Sequence, residues 1–230
     1  MKRTALVFDL DDTLYAEREF VLSGFAAVDR WLQQKHGIMG FGSAAGGVFH
    51  SGLRGRTFDE ALGKLGICDV AGLVPELVEI YRGHKPQLTL FADAQWAIER
   101  FRGHCKLGLI TDGYAETQRN KVAALGIGGM FDCVIYTDDL GRQNWKPSPV
   151  AFHAMMERLG VTGEECIYVG DNPTKDFLAP NGLGWLTVMI SREGGEYAQV
   201  AKEAAMPNYK AKRVISSLCE LDELLEKYTA

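Results

Sequence analysis

The sequence contains no long run of lysine and arginine; its densest basic cluster is Lys210, Lys212 and Arg213. Tight nonspecific nucleic-acid binding depends on many basic side chains neutralising phosphates. A chain with 25 basic and 30 acidic residues, net charge −5, does not supply them, and that cluster reads as a solvated face. No apolar stretch approaches the roughly 20 residues of a membrane helix. The amino terminus briefly imitates an export signal, with Lys2 and Arg3 followed by Ala5, Leu6, Val7 and Phe8. Asp9 ends that apolar run short of the roughly 7–15 residues export needs. The five cysteines, Cys68, Cys105, Cys133, Cys166 and Cys219, are odd in number and form no CxxC pair. A disulfide framework is therefore not expected, and a reducing, cytoplasmic location is. Cys133 and Cys166 lie within apolar runs and read as buried thiols. Histidine-rich or cysteine-rich metal spacing is missing too, which disfavours zinc. Internal repeats and low-complexity tracts are absent.

What is present is a series of short apolar runs, each the length of a strand buried on both faces. They are Ala5–Phe8, Leu107–Ile110, Cys133–Tyr136, Cys166–Val169 and Leu186–Ile190, with Val214-Ile215 as a short sixth. Helical spacing lies between them: Ala94, Ala97, Ile98 and Phe101; Val122 and Leu125; Phe152, Met155 and Leu159. Ser217 and Glu220 resemble a capping box ahead of Leu221, Leu224, Leu225 and Tyr228. Strands alternating with helices predict an α/β fold with a parallel sheet and right-handed crossovers.

One segment breaks the alternation. The roughly 75 residues between the first strand and Ala94 far exceed a plain connection of about 4–6. Phe25, Val28 and Leu32 share one helical face, as do Phe58, Ala61, Leu62 and Leu65, while Leu73, Leu77, Val78 and Tyr81 suggest a third helix. Residues 16–90 therefore read as an inserted all-helical cap domain, and residues 1–15 and 91–230 as the core. The glycine-rich stretch Gly37–Gly47 reads as an interhelical loop inside the cap.

Ligands of an open parallel sheet bind beyond the carboxyl ends of its strands, so the residues there are the informative ones. Asp9-Leu10-Asp11-Asp12-Thr13 follows the first strand, Thr111-Asp112-Gly113 the second, and Gly170-Asp171 through Lys175-Asp176 the fourth; Lys146 lies in the connection before the helix that leads to the fourth. Crowded carboxylates need a compensating cation. Oxygen-only ligands select a hard one, magnesium, which keeps sites for water and phosphate oxygens. That combination points to phosphoryl transfer. A carboxylate such as Asp9 can attack phosphorus. Asp11, two residues on, can protonate the leaving oxygen and later take a proton from water. Thr111 and the backbone N–H groups near Asp112 and Gly113 can bind phosphate oxygens, and Lys146 can neutralise the shared charge.

These residues resemble the motifs of the haloacid dehalogenase superfamily and, within it, its aspartate-nucleophile phosphatases. Asp9 through Thr13 is similar to the DxDxT motif, Thr111 to the second motif, Lys146 in Asn144-Trp145-Lys146-Pro147 to the third, and Gly170 through Asp176 to the GDxxxxD form of the fourth. The resemblance implies a Rossmann-like core with a helical cap inserted after the first motif, hinged near Leu14–Glu19 and Thr89–Asp93. It implies Asp9 as nucleophile and Mg2+ ligand, Asp11 as acid/base that also lends its backbone carbonyl to the metal, and Asp171 as a direct ligand. Asp176 would support the metal shell or orient Lys146. Dehalogenases of the superfamily lack an acid at the position of Asp11, because a halide leaves without a proton. The expected activity is Mg2+-dependent hydrolysis of a small phosphorylated metabolite, a sugar phosphate or nucleoside monophosphate, by a monomer or homodimer. The alternatives are a sugar-phosphate mutase and a noncatalytic phosphate-binding regulator. Glu17, Arg18, His84 and Lys85 are the candidates for substrate selection.

Overall fold

The computed structural model describes residues 4–67, 72–193 and 207–229, the last four of these by backbone alone. Lys2, Arg3 and Cys68 lie outside the described residues, as does the side chain of Tyr228. By its internal contacts the chain divides into two compact units, Met1–Ala16 with Thr89–Ala230, and Glu17–Leu88.

The larger unit is built on a six-stranded parallel sheet: β1 (Ala5–Phe8), β2 (Lys106–Thr111), β3 (Cys133–Tyr136), β4 (Cys166–Gly170), β5 (Leu186–Ile190) and β6 (Arg213–Ile215). Its order is β3-β2-β1-β4-β5-β6. β1 lies between β2 and β4, with Leu6 opposite Leu107 on one side and Ile167 on the other. A strand paired on both edges and covered on both faces has no exposed position, and all four β1 residues are buried. Because the chain leaves β1 toward opposite edges of the sheet, the carboxyl ends of β1, β2 and β4 flank a topological switch point.

On one face, Val7, Ile110, Ile135, Tyr168 and Met189 pack with Phe152, Met155 and Leu159 in one core. The helix carrying those last three, Val150–Leu159, packs against β2 and β3. Phe152 meets Tyr168 and Trp185 edge-on, with centroids 5.1 and 5.5 Å apart, the geometry aromatic quadrupoles favour. The polar end of Tyr168 reaches the candidate site described below.

Among its described residues the smaller unit holds four helices, α1 (Glu17–His36), α2 (Phe41–His50), α3 (Thr57–Lys64) and α4 (Leu73–Gly83). Phe25, Val28, Leu32, Phe41, Ala45, Ala61, Leu62 and Leu77 form its core. The expectation of a loop over Gly37–Gly47 is corrected: only Gly37 and Gly40, at φ of 68° and 87°, lie in the connection, and α2 begins at Phe41. Glycine costs a helix about 1 kcal/mol relative to alanine, and close packing does not demand it here: a Cβ on Gly42 would meet Asp29 Cβ on α1 at an ordinary 3.4 Å, and one on Gly46 or Gly47 would meet nothing within 4 Å. Burial of Phe41, Ala45 and Val48 outweighs the propensity cost.

The remaining helices belong to the larger unit: α5 (Ala92–Phe101), α6 (Ala115–Leu125), α7 (Val150–Leu159), α8 (Leu178–Gly182) and α9 (Leu221–Thr229). The capping box of Ser217 and Glu220 is present, but it caps a single 3-10 turn, Leu218–Glu220, that leads into α9. Cys133 and Cys166 are buried thiols. No helix among the described residues is long and apolar enough to cross a membrane.

Candidate active site

Four segments meet at the carboxyl edge of the sheet. Asp9 is the first residue past β1, and its N–H still donates to Val169 O at 2.8 Å, so the sheet ladder itself sets its position. The chain then turns sharply. Asp12 adopts φ of 52°, a left-handed conformation that aspartate tolerates better than most residues. Leu14 N–H donates to Leu10 O.

Asp9 is buried, and Lys146 Nζ donates to its Oδ1 at 2.5 Å. The same ammonium donates to Asp176 Oδ1 at 2.8 Å and contacts Tyr168 Oη at 3.0 Å. Burial alone would push Lys146 down, but the Asp176 and Asp9 carboxylates more than offset it and hold it well above its usual value. Asp9 goes the other way: burial dominates over the attraction of Lys146, and its carboxyl is raised from 3.8 to about 7. Asp171 is also raised well above the usual range, by burial and then by Asp176, Asp9 and Asp12. Carboxylate oxygens of Asp9, Asp171 and Asp176 lie within 4.8 Å of one another. Lys146, with the partly exposed Lys175 acting on Asp9 and Asp171, does not balance three clustered carboxylates, and an all-oxygen donor set of this kind fits a hard divalent cation. Asp176 is already committed, accepting from Lys146 and from Asn172 N–H at 2.9 Å. That leaves Asp9 and Asp171 with the greater free ligating capacity.

The fourth-motif loop depends on a close approach. A Cβ on Gly170 would fall 2.6 Å from Asp176 Oδ2 and 2.9 Å from its Cγ. Gly170→Ala is therefore expected to displace the Asp176 carboxylate from Lys146 and Asn172. Overpacking of this kind costs about 1–3 kcal/mol, readable as a lowered urea midpoint. An unchanged midpoint would mean that the loop has slack the contact distances do not show.

Thr111, fully buried at the end of β2, accepts a hydrogen bond on Oγ1 from Gln118 Nε2 at 2.5 Å. Asp112 turns its carboxylate into the scaffold, where Oδ1 accepts from Thr137 Oγ1 at 2.7 Å and from Lys146 N–H at 3.2 Å. Gly113 has φ of 123°, a conformation a Cβ would strain. Asp11 stands apart from the Asp9, Asp171 and Asp176 group. Its side chain accepts from Tyr15 Oη at 2.5 Å and Lys121 Nζ at 2.7 Å on Oδ1, and from Gln118 Nε2 at 2.9 Å on Oδ2. Burial opposes the charged form, but Lys121 with these donors outweighs it and holds Asp11 below the usual carboxylate range.

Sequence reasoning did not single out Tyr15, Gln118, Lys121, Tyr168 or Lys175. Tyr168 sat unnoticed within an apolar strand; the signal was its phenol, which needs a partner when buried. Gln118 and Lys121 occupy the buried face of α6 with Thr117 and Val122, where apolar residues are the rule. Lys175 Nζ lies 3.5 Å from Asp112 with a third of its side chain exposed, which screens that pair. In the smaller unit Arg18 Nη2 is 2.7 Å from His50 Nε2, and His84 bonds Ser23 Oγ and Tyr81 O.

A family model described as haloacid dehalogenase-like hydrolase matches residues 4–184. The chain is 28% identical to the glyceraldehyde 3-phosphate phosphatase of Methanopyrus kandleri, over 91% of this chain and 93% of that one. It is 27% identical to the N-acylneuraminate-9-phosphatase of Rattus norvegicus, over 96% and 93%. Its fold is similar to that of a putative HAD-hydrolase from Bacillus subtilis described as bound to magnesium, at TM-score 0.68 and 21% identity, covering 98% and 99%.

Proposed function

This chain belongs to the haloacid dehalogenase-like hydrolases, and from that premise we propose that it is a Mg2+-dependent phosphatase of a small phosphorylated metabolite, with Asp9 as nucleophile. The observation that carries the reading is the buried Lys146 ammonium bridging Asp9 and Asp176 beside Asp171 at the switch point of the sheet. The relatives are named for glyceraldehyde 3-phosphate and for N-acylneuraminate 9-phosphate, which supports a sugar phosphate as substrate ahead of a nucleoside monophosphate.

An Asp9 carboxylate oxygen attacks phosphorus. The bond to the leaving oxygen breaks, and Asp11, whose carboxyl is held low in the free site and takes up a proton from solvent as the phosphate dianion binds, gives that oxygen its proton. Asp11 then takes a proton from water as the water oxygen attacks the same phosphorus, releasing inorganic phosphate and regenerating Asp9. Lys146 offsets the charge Asp9 shares with the phosphoryl oxygens, and Thr111 with the N–H groups of Asp112 and Gly113 binds those oxygens. Asp9 and Asp171, with the Asp11 carbonyl, would hold Mg2+, and Asp176 would orient Lys146 behind them. When bound, the ion offsets repulsion between the carboxylates and the phosphate. In this reading residues 1–15 and 91–230 are the catalytic core and residues 16–90 the cap domain.

Phosphate release from a panel of phosphorylated metabolites, with and without chelator, tests the proposal. One strongly preferred ester, silent in chelator and restored by Mg2+, is the expected result. Full activity in chelator would overturn the metal assignment, and an isomerised ester without free phosphate would overturn hydrolysis. The raised carboxyls add a pH dependence. Asp9, at about 7, and Asp171 must be deprotonated to ligate, so Mg2+ affinity should rise between pH 6 and pH 8 with protons released on binding. Calorimetry in two buffers of different ionisation enthalpy reads that release; an affinity constant over this range would argue against Asp9 and Asp171 as ligands.

A further inference from the structure

Asp11 and Thr111 come from different strand ends, yet one helix holds both. Gln118 Nε2 has two N–H groups; it donates to Thr111 Oγ1 at 2.5 Å and to Asp11 Oδ2 at 2.9 Å. Lys121, one turn further along α6, donates to Asp11 Oδ1 at 2.7 Å with only 4% of its side chain exposed. Residues three apart on a helix share a face, so the two donors reach Asp11 as a pair. A hydroxyl has one proton and two acceptor sites. With Gln118 donating to it, Thr111 Oγ1 keeps its own proton to give.

A lysine buried on a helix is costly unless paired, and an apolar side chain would fill the same face of α6 without a charge. We propose that Gln118 and Lys121 are positioning residues that hold Asp11 in place for proton transfer to the leaving oxygen, Gln118 also presenting the Thr111 hydroxyl as a donor to the phosphoryl group. This rests on the phosphatase reading above. Neither residue touches the reacting atoms in this scheme; both act through Asp11 and Thr111.

The test exploits what a general acid does. A leaving group that departs readily as an anion needs little protonation, whereas an alkoxide needs it badly. The readout is kcat/KM for an aryl ester, p-nitrophenyl phosphate, and for the best-cleaved alkyl phosphate of the metabolite panel. Their ratio, taken on one preparation, does not depend on how much of the protein is folded. Lys121→Met removes the cation that holds the Asp11 carboxyl low, which by itself favours the protonated acid; loss of its position should outweigh this and lower the alkyl value on the order of 10- to 100-fold and the aryl value less than about threefold, a part of the 10²–10⁴ that acid–base catalysis supplies. Lys121→Arg, which keeps a cation, should recover most of the alkyl-to-aryl ratio. If Lys121→Met yields no soluble protein, Gln118→Leu carries the test, with the ratio falling in the same direction. Equal losses on both esters would reduce the pair to structural support and overturn the inference alone. A wild-type protein that releases phosphate from no ester would remove the phosphatase reading, and this inference with it.

Discussion

Asp9→Asn is expected to abolish phosphate release while leaving the protein folded and, without metal, more stable at alkaline pH. The amide keeps the shape of the carboxylate but not its nucleophilic charge, and removing a nucleophile outright costs at least about 10³-fold in turnover. The stability effect follows from burial. Asp9 is almost inaccessible, and its carboxyl is raised from 3.8 to about 7. Below about pH 4 the group is protonated whether the chain is folded or not, and it contributes nothing. Between about 4 and 7 the unfolded chain releases the proton and the folded one retains it, so stability falls as pH rises. Above about 7 the penalty is complete, on the order of 4 kcal/mol for a rise of this size. The Asp9→Asn protein carries no such penalty. Urea unfolding in chelator at pH 5 and pH 8 should show the variant gaining on the wild type at the higher pH. Phosphate release surviving in a clean preparation would remove Asp9 as the nucleophile. A stability difference equal at both pH values would mean that folding does not raise the Asp9 carboxyl.

Lys146→Met should be the most damaging single change to stability and activity together. Its ammonium is wholly buried between Asp9 and Asp176, so the substitution leaves two carboxylates without their shared cation. Breaking a buried pair by removing one partner costs about 3–5 kcal/mol, a large part of the 5–15 kcal/mol of a typical domain. Proton uptake by the orphaned carboxylates limits the cost. Loss of a preorganised electrostatic contact to the phosphoryl group should lower kcat by about 10²–10³-fold. Because the cluster has lost its cation, Mg2+ at alkaline pH, where the carboxylates release those protons, should raise the melting temperature of the variant more than that of the wild type. A variant that melts like the wild type in chelator would show that Lys146 does not compensate Asp9 and Asp176.

Much of the architecture was legible because it is local. Parallel strands buried on both faces read as unbroken apolar runs that stop at the first polar residue, and that residue marks the strand's carboxyl end. The runs from Ala5, Leu107, Cys133, Cys166 and Leu186 all became strands, within a residue or so at their ends. The polar residues following three of them are the ones gathered at the sheet edge. Local reading failed where packing overruled propensity. Gly42, Gly46 and Gly47 argue for a loop by composition, yet they lie in α2 because Phe41, Ala45 and Val48 bury on its other positions.

The pairing of charges was beyond local reading. Asp9 and Asp11 are two residues apart, and their spacing does not tell which cation either one meets. One is raised by burial despite its contact with Lys146, 137 residues away; the other is lowered by Lys121, 110 residues away. Which residues stand at the strand ends can be read along the chain, since burial periodicity and chain direction are local properties. The tertiary structure decided which carboxylate meets which cation, because that depends on the order β3-β2-β1-β4 and on the face of α6 turned toward Asp11. A Coulomb interaction falls off with distance through space, and separation along the chain carries no record of it.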